Sequence, residues 1–238
     1  MTITIHRANQ IGGCITIIEH DGCKIIIDLG CNFPGNASEE LSKEDIAAIT
    51  EGANAIFYTH YHGDHTGLHH LVDIKIPQYI GPGAKEVMLC KYQALAKHGD
   101  FSKELESTEK MLSYTAGHRI KYNGCNKIKV TPYFVSHSAF DAYMFLIECN
   151  GKKILHTGDF RKHGYLGKGL FPTLTKYVGE VDILITEGTM LGRKQEDVVS
   201  EIEIKQNVID ALKQHKYVFA LGSSTDLDRL SSFHAACK

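Results

Sequence analysis

The chain has 238 residues, with 26 Lys and Arg against 28 Asp and Glu, a formal charge of −2. That balance excludes a global basic field for non-specific nucleic-acid binding, although a local patch or a metal site can still attract phosphate. No apolar run approaches the roughly 18 residues of a membrane span, and the start lacks a basic segment followed by an apolar block, so a cytoplasmic protein without membrane contact is expected.

The length suits one large domain or two small ones. Met1 to Arg7 alternates like a strand. Cys14–Glu19 and Lys24–Asp28 are apolar runs joined by His20-Asp21-Gly22-Cys23, a hairpin signal, and the second run ends at Asp28-Leu29-Gly30. Ser38–Thr50 is expected to be helical, with Leu41, Ile46 and Ile49 inward. Ala55–Tyr58 reads as a buried strand. Gln78–Ile80 is a short strand, and Gly81-Pro82-Gly83 is a helix entrance, since it lacks the Gly-Lys-Ser/Thr ending of a phosphate loop. Ala84–His98 follows as a helix.

From Tyr114 to Glu148 the apolar period is two, which predicts strands. Ile154–Asp159 is a strand ending on a carboxylate, and Val181–Thr186 is a strand ending at Glu187-Gly188-Thr189. Gln195–His215 is an amphipathic helix, and its acids and lysines from Glu196 to Lys216 are read as a solvated face. Tyr217–Leu221 is expected to be a strand, and Asp226–Cys237 a helix. The chain also repeats itself. Residues 15–25 align with 144–154, and 55–60 with 182–187, so two similar sheet-plus-helix halves are expected to face each other.

Seven cysteines (14, 23, 31, 90, 125, 149 and 237) are scattered without a Cys-x-x-Cys pair, which favours reduced thiols. Fourteen histidines are many. Three of them, with a carboxylate, crowd into His60-Tyr61-His62-Gly63-Asp64-His65 directly after the buried strand. Gly63 permits a tight turn there, so these side chains can converge on one point. Neutral imidazoles and carboxylates are ligands for zinc and other divalent metals. His69 and His70 fall beyond the cluster and are placed on the face of the following helix.

His60-x-His62-x-Asp64-His65 resembles the signature of the metallo-β-lactamase-fold hydrolases, a two-metal superfamily. The resemblance implies an α/β fold, a four-layer αββα sandwich with two mixed sheets. It implies that His60, His62 and His137 bind one metal, and that Asp64, His65 and a bridging Asp159 bind the second. Asp28 would orient a ligand from behind. Zinc is the implied metal, with manganese as the alternative. Asp182 to Arg193, with its strand ending in Glu187-Gly188-Thr189, and Asp159-Phe160-Arg161-Lys162-His163-Gly164 resemble the β-CASP branch, which processes nucleic acids and includes ribonuclease J. Asp64, Asp159 and Glu187 would then be catalytic. Arg161, Lys162, His163 and Arg193 could add positive charge near a phosphate track.

On this resemblance residues 1–216 form the metal-binding domain, incomplete, and 217–238 open a β-CASP-like cap. The family's last histidine ligand has no match, because His215 and His234 lack its context. The chain therefore reads as a truncated piece with its C-terminal part missing, expected to bind at most one ion tightly and to hydrolyse phosphodiesters poorly or not at all. The function implied is phosphodiester hydrolysis, of RNA above all, by a protein for which a homodimer is admitted. The alternatives are a thioester or lactone hydrolase of the same fold, and a non-catalytic metal-binding subunit of an RNA-processing complex.

Overall fold

The computed structural model describes residues 1–35, 38–191 and 198–238. Arg193 and the expected helix start at Gln195 lie outside the described residues. In chain order the elements begin with strands β1 (Thr2–His6), β2 (Ile15–His20) and β3 (Cys23–Ile27), then helix α1 (Lys43–Thr50), strand β4 (Ala55–Phe57) and a single helical turn, α2 (Gly63–Thr66). Next come β5 (Gln78–Ile80), α3 (Pro82–Leu95), α4 (Ser102–Lys110), β6 (Leu112–Ser113), β7 (Ile128–Val135), β8 (Ala142–Cys149) and β9 (Lys152–His156). The short α5 (Leu170–Thr173), β10 (Ile183–Ile185), α6 (Glu201–Gln214) and α7 (Leu227–Ala236) complete them.

Two mixed sheets form, with strand orders β1-β2-β3-β4-β5-β6 and β10-β9-β8-β7. Period-two burial on both faces of the central strands explains the layering. In the first sheet Ile18, Ile25, Ile27, Ala55 and Phe57 face inward, against Val130, Tyr143, Phe145, Ile147 and Ile154 of the second. Their neighbours Ile15, Ile17, Ile26 and Ile56 face outward and are covered by Ile46 of α1 and by Ala84, Met88 and Tyr92 of α3. On the far side Ala142, Met144 and Leu146 pack under Leu170 and Val178. Three apolar seams thus separate four layers, as expected. A one-residue register slip would exchange each strand's two seams.

The internal repeat is structural. Asp21-Gly22 and Asn150-Gly151 each close a two-residue hairpin, with φ of +49° and +77°, and +52° and +71°. Positive φ at both positions is the type I′ turn, whose twist matches the strands. Each hairpin's second strand then pairs in parallel with the strand after a crossover, β3 with β4 and β9 with β10.

The halves diverge beyond that point. Gln78–Ile80 joins its sheet as β5, whereas Tyr217–Leu221 forms no strand and is exposed, with Phe219 at 96% and Leu221 at 98%. The expectation of a strand there is corrected: β10 is the edge of its sheet, and the segment does not pair with it. Helix boundaries also move. Ser42 caps α1 with Asp45 in a reciprocal box, so the helix starts five residues later than the apolar spacing suggests. Gly81 and Pro82 open α3 as read. Cys23 and Cys125 are joined in a disulfide across 102 residues, which corrects the expectation of reduced thiols for this pair. Among the described residues no helix is long and apolar enough to cross a membrane.

Candidate metal centre

The chemistry-bearing residues follow the C-terminal ends of five strands. Asp28 follows β3, Thr59 and His60 follow β4, His137 follows β7, Asp159 follows β9 and Glu187 follows β10. The repeat brings these ends to one edge. His62 precedes α2, and Asp64 and His65 ride its single turn. That turn is pinned from three sides. Cys14 N donates to Asp64 O (2.9 Å), Leu29 N to His65 O (2.7 Å) and Cys31 N to Gly63 O (3.0 Å).

Two sets of donors result. Nε2 of His60 lies 3.1 Å from Nδ1 of His62, which lies 3.2 Å from Nε2 of His137. Tetrahedral bonds of about 2.0–2.1 Å to one zinc require nitrogens about 3.3 Å apart. A shared proton satisfies only one such pair, whereas a divalent ion satisfies all three. The second set centres on His65. Its Nε2 is buried without a hydrogen-bond partner, 3.5 Å from Asp64 Oδ2 and 3.4 Å from Asp159 Oδ1. The other oxygen of Asp159 lies 3.8 Å from His137 Nε2. His60 stands within 4.8 Å of both His65 and Asp159, so it borders both sets.

Asp28 fixes which nitrogen His65 and, through Thr59, His60 present. Its Oδ2 pairs with His65 Nδ1 at 2.8 Å, and its Oδ1 accepts from Thr59 N at 2.7 Å. The Thr59 hydroxyl lies 2.9 Å from Asp28 Oδ2 and 3.0 Å from His60 Nδ1. A hydroxyl that donates to the carboxylate accepts from His60 Nδ1–H, leaving Nε2 bare. Asp28 itself adopts φ +61°, a conformation asparagine tolerates equally well. Asp28→Asn therefore isolates the charge. It is expected to cost about 10–100-fold in metal affinity while every direct donor stays in place. An affinity unchanged within error, measured against a competing chelator, would reduce Asp28 to a turn residue.

Burial holds His60 neutral and lowers His62 to about 4 and His137 to about 3, so their lone pairs are free at neutral pH. Burial also opposes charge on His65, but Asp28 and Asp159 outweigh it and hold its pKa well above the usual imidazole range. That position selects positive charge. Burial raises Asp64, and it opposes charge on Asp159 too, where the histidines nevertheless keep the carboxyl below its ordinary value. The donor chemistry thus fits divalent ions.

His69 lies on a short helical turn, His69–Leu71, after the cluster, but its side chain faces inward. It is fully buried, with Nδ1 2.9 Å from Ser107 Oγ, and burial lowers its pKa to about 3. Its unfolded value is about 6.5, so the unfolded chain binds the extra proton between the two values, and stability falls as pH drops through that window. His69 alone is expected to remove roughly 2 kcal/mol between pH 7 and 5. Urea melts of wild type and His69→Gln should differ by that much in their acid loss, and parallel losses would contradict it.

Other residues make contacts that the sequence does not indicate. Glu187 accepts from Phe160 N (2.9 Å) and from the Thr189 hydroxyl, so it braces the Asp159 loop and makes no direct contact with either donor set. Arg161 is no free phosphate contact, because its guanidinium is held by Asp228 (3.1 Å), Asp226 (3.4 Å) and Glu201 (3.7 Å). Glu201, read as part of a solvated face, is 1% exposed and also pairs with Arg229 at 3.0 Å. His215, just past the end of α6, and His234 on α7 are exposed. Thr59 was not singled out, since a threonine at a strand end carries no periodic signal. A cleft of about 580 Å³ opens beside Asp64, His65, Asp159 and Glu187.

Residues 24–220 match the family model described as Beta-lactamase superfamily domain. Endoribonuclease ysh-1 of Neurospora crassa is 25% identical over 208 residues, which is 79% of this chain and 23% of that protein. A crystal structure of a protein of unknown function from Enterococcus faecalis V583 shares the fold, with a TM-score of 0.81 and 20% identity over 98% of this chain and 62% of that one. The chain thus spans under a quarter of the Neurospora protein and less than two thirds of the Enterococcus chain.

Proposed function

The chain belongs to the β-lactamase superfamily of metal-dependent hydrolases, and from that premise we propose that it serves phosphodiester hydrolysis with RNA as the substrate class. His60, His62 and His137 would hold one divalent ion, zinc or manganese, and Asp64, His65 and Asp159 a second. The observation that carries this reading is Asp159. Its two oxygens face different donor sets, one towards His65 at 3.4 Å and the other towards His137 at 3.8 Å. A carboxylate can span two ions in this way, and a paired site suits in-line displacement at phosphorus because it clamps both the entering and the leaving oxygen. The likeness to a protein named an endoribonuclease favours RNA over small thioesters or lactones.

Ions held there would act as Lewis acids, acidifying water and neutralising charge on the phosphate oxygens. The chain's own contribution is orientation. Asp28 and Thr59 set the imidazole tautomers, and Glu187 fixes the loop that carries Asp159. Asp64, which lines the cleft, is the carboxylate placed to accept a proton from the attacking water. The open cleft beside it leaves room for a chain-like substrate.

The test compares bis-p-nitrophenyl phosphate, a thioester and a lactone, with labelled RNA alongside, in zinc and in manganese. The ratio of kcat/KM values decides, whatever their absolute size. Phosphodiester is expected to lead. A preferred thioester or lactone would move the function to small molecules, and no turnover with ions demonstrably bound would make the chain a metal-binding subunit.

A further inference from the structure

We infer that Arg161 is a positioning residue through which the C-terminal segment 223–232 sets the geometry of the metal centre. The inference rests on the metal-centre reading above. Asp159 is followed by two backbone anchors. Phe160 N donates to Glu187 Oε1 (2.9 Å), and Arg161 N donates to Ser136 O (2.6 Å). The second anchor ties the loop carrying Asp159 to the loop carrying His137. Donors from two separate strands are therefore held in mutual register at the backbone of Arg161.

Its side chain points away from the donors, into the tail. With only 10% of its side chain exposed, it bridges Glu201 at the start of α6 to Asp226 and Asp228 at the start of α7. Arg229 and Ser232 return to Glu201 from α7, at 3.0 Å each. Two arginines and three carboxylates form one largely buried network. A flat guanidinium with several fixed donors can serve three acceptors at once, where a lysine offers a point charge.

A second tie reaches the other donor loop. Tyr61, between His60 and His62, donates its hydroxyl to Thr225 O (2.5 Å) and accepts from Phe140 N (2.7 Å). The segment from Thr225 to Asp228 is thus fastened to the His60–His62 stretch and to the Asp159–Arg161 stretch together. Both ties hold residues close in sequence to donors, and neither offers a ligand. Their effect is to fix the separation of His62 from Asp159 and His137.

The experiment measures zinc affinity against a chelator and the visible spectrum of the cobalt-substituted full chain. Variants are Arg161→Met, Arg161→Lys and Asp228→Asn, the last far in sequence from every donor and still 25% exposed in its side chain. Arg161→Met and Asp228→Asn are expected to lower affinity about tenfold or more, in the range of indirect partners. They should also change the intensity and position of the cobalt bands, with Arg161→Lys intermediate. A purely stabilising network would lower the melting temperature and leave affinity and cobalt bands of the folded chain unchanged, and that result overturns the inference. If Arg161→Met does not fold, Asp228→Asn decides by the same readouts. A wild-type chain that takes up no ion overturns the metal-centre reading itself, a result distinct from variants that match a metal-binding wild type.

Discussion

His62→Ala is expected to strip the first donor set of its ion, with a loss of affinity greater than the roughly 10–100-fold typical of a supporting partner. His62 Nδ1 is the middle member of its trio, 3.1 Å from His60 and 3.2 Å from His137, so its removal leaves two imidazoles that no longer define a site. Three protein donors are the usual minimum for a catalytic zinc. His69→Gln is the matched control, since His69 is equally close in sequence but bonds to Ser107 and belongs to neither set. Metal analysis after dialysis checks the pair. Equal metal content in the two variants would sink the assignment of His62.

Gly30→Ala is expected to destabilise the fold by about 3 kcal/mol or more, beyond ordinary overpacking, and to lower metal content with it. A β-carbon at residue 30 would land on the backbone carbonyl of Asp64, and neither partner is a movable side-chain end. That carbonyl is already held by Cys14 N, while Leu29 and Cys31 hold the flanking carbonyls of His65 and Gly63. The turn carrying Asp64 must therefore shift, taking two donors with it. Gly22→Ala is the comparison. It adds a β-carbon into open space at φ +77°, so it carries only the left-handed penalty of about 1–2 kcal/mol. Denaturant midpoints measure both. If Gly30→Ala costs no more than Gly22→Ala, the close approach is not what that position is for.

The central strands and the donor cluster were legible because each depends on local pattern. Alternating apolar runs such as Ile25–Ile27 fix their own faces, and His60 to His65 sit within one turn of each other. His137 and Asp159 were reachable only through the family resemblance, since each is a lone residue after a strand. Two of the errors share one cause, a partner distant in sequence. Glu201 reads as solvated until Arg229 and Arg161 are brought to it. Cys23 has no framework spacing because its partner is 102 residues away. Tyr217–Leu221 has strand composition, but pairing requires a neighbouring edge, which composition does not encode.

Each sheet is drawn from one contiguous stretch, 2–113 for the first and 128–185 for the second. Neither sheet borrows a strand from the other, so their pairings close comparatively short loops, and each can form before the two meet. The donors are divided in the same way, with His60, His62, Asp64 and His65 on the earlier stretch and His137 and Asp159 on the later. An ion that binds only the joined arrangement stabilises it by about 2.7 kcal/mol at a hundredfold excess over its dissociation constant. During synthesis the earlier stretch emerges with four donors and no counterpart. An ion held as proposed above would reach full coordination only when the two stretches dock, and would act as a late latch in the folding order.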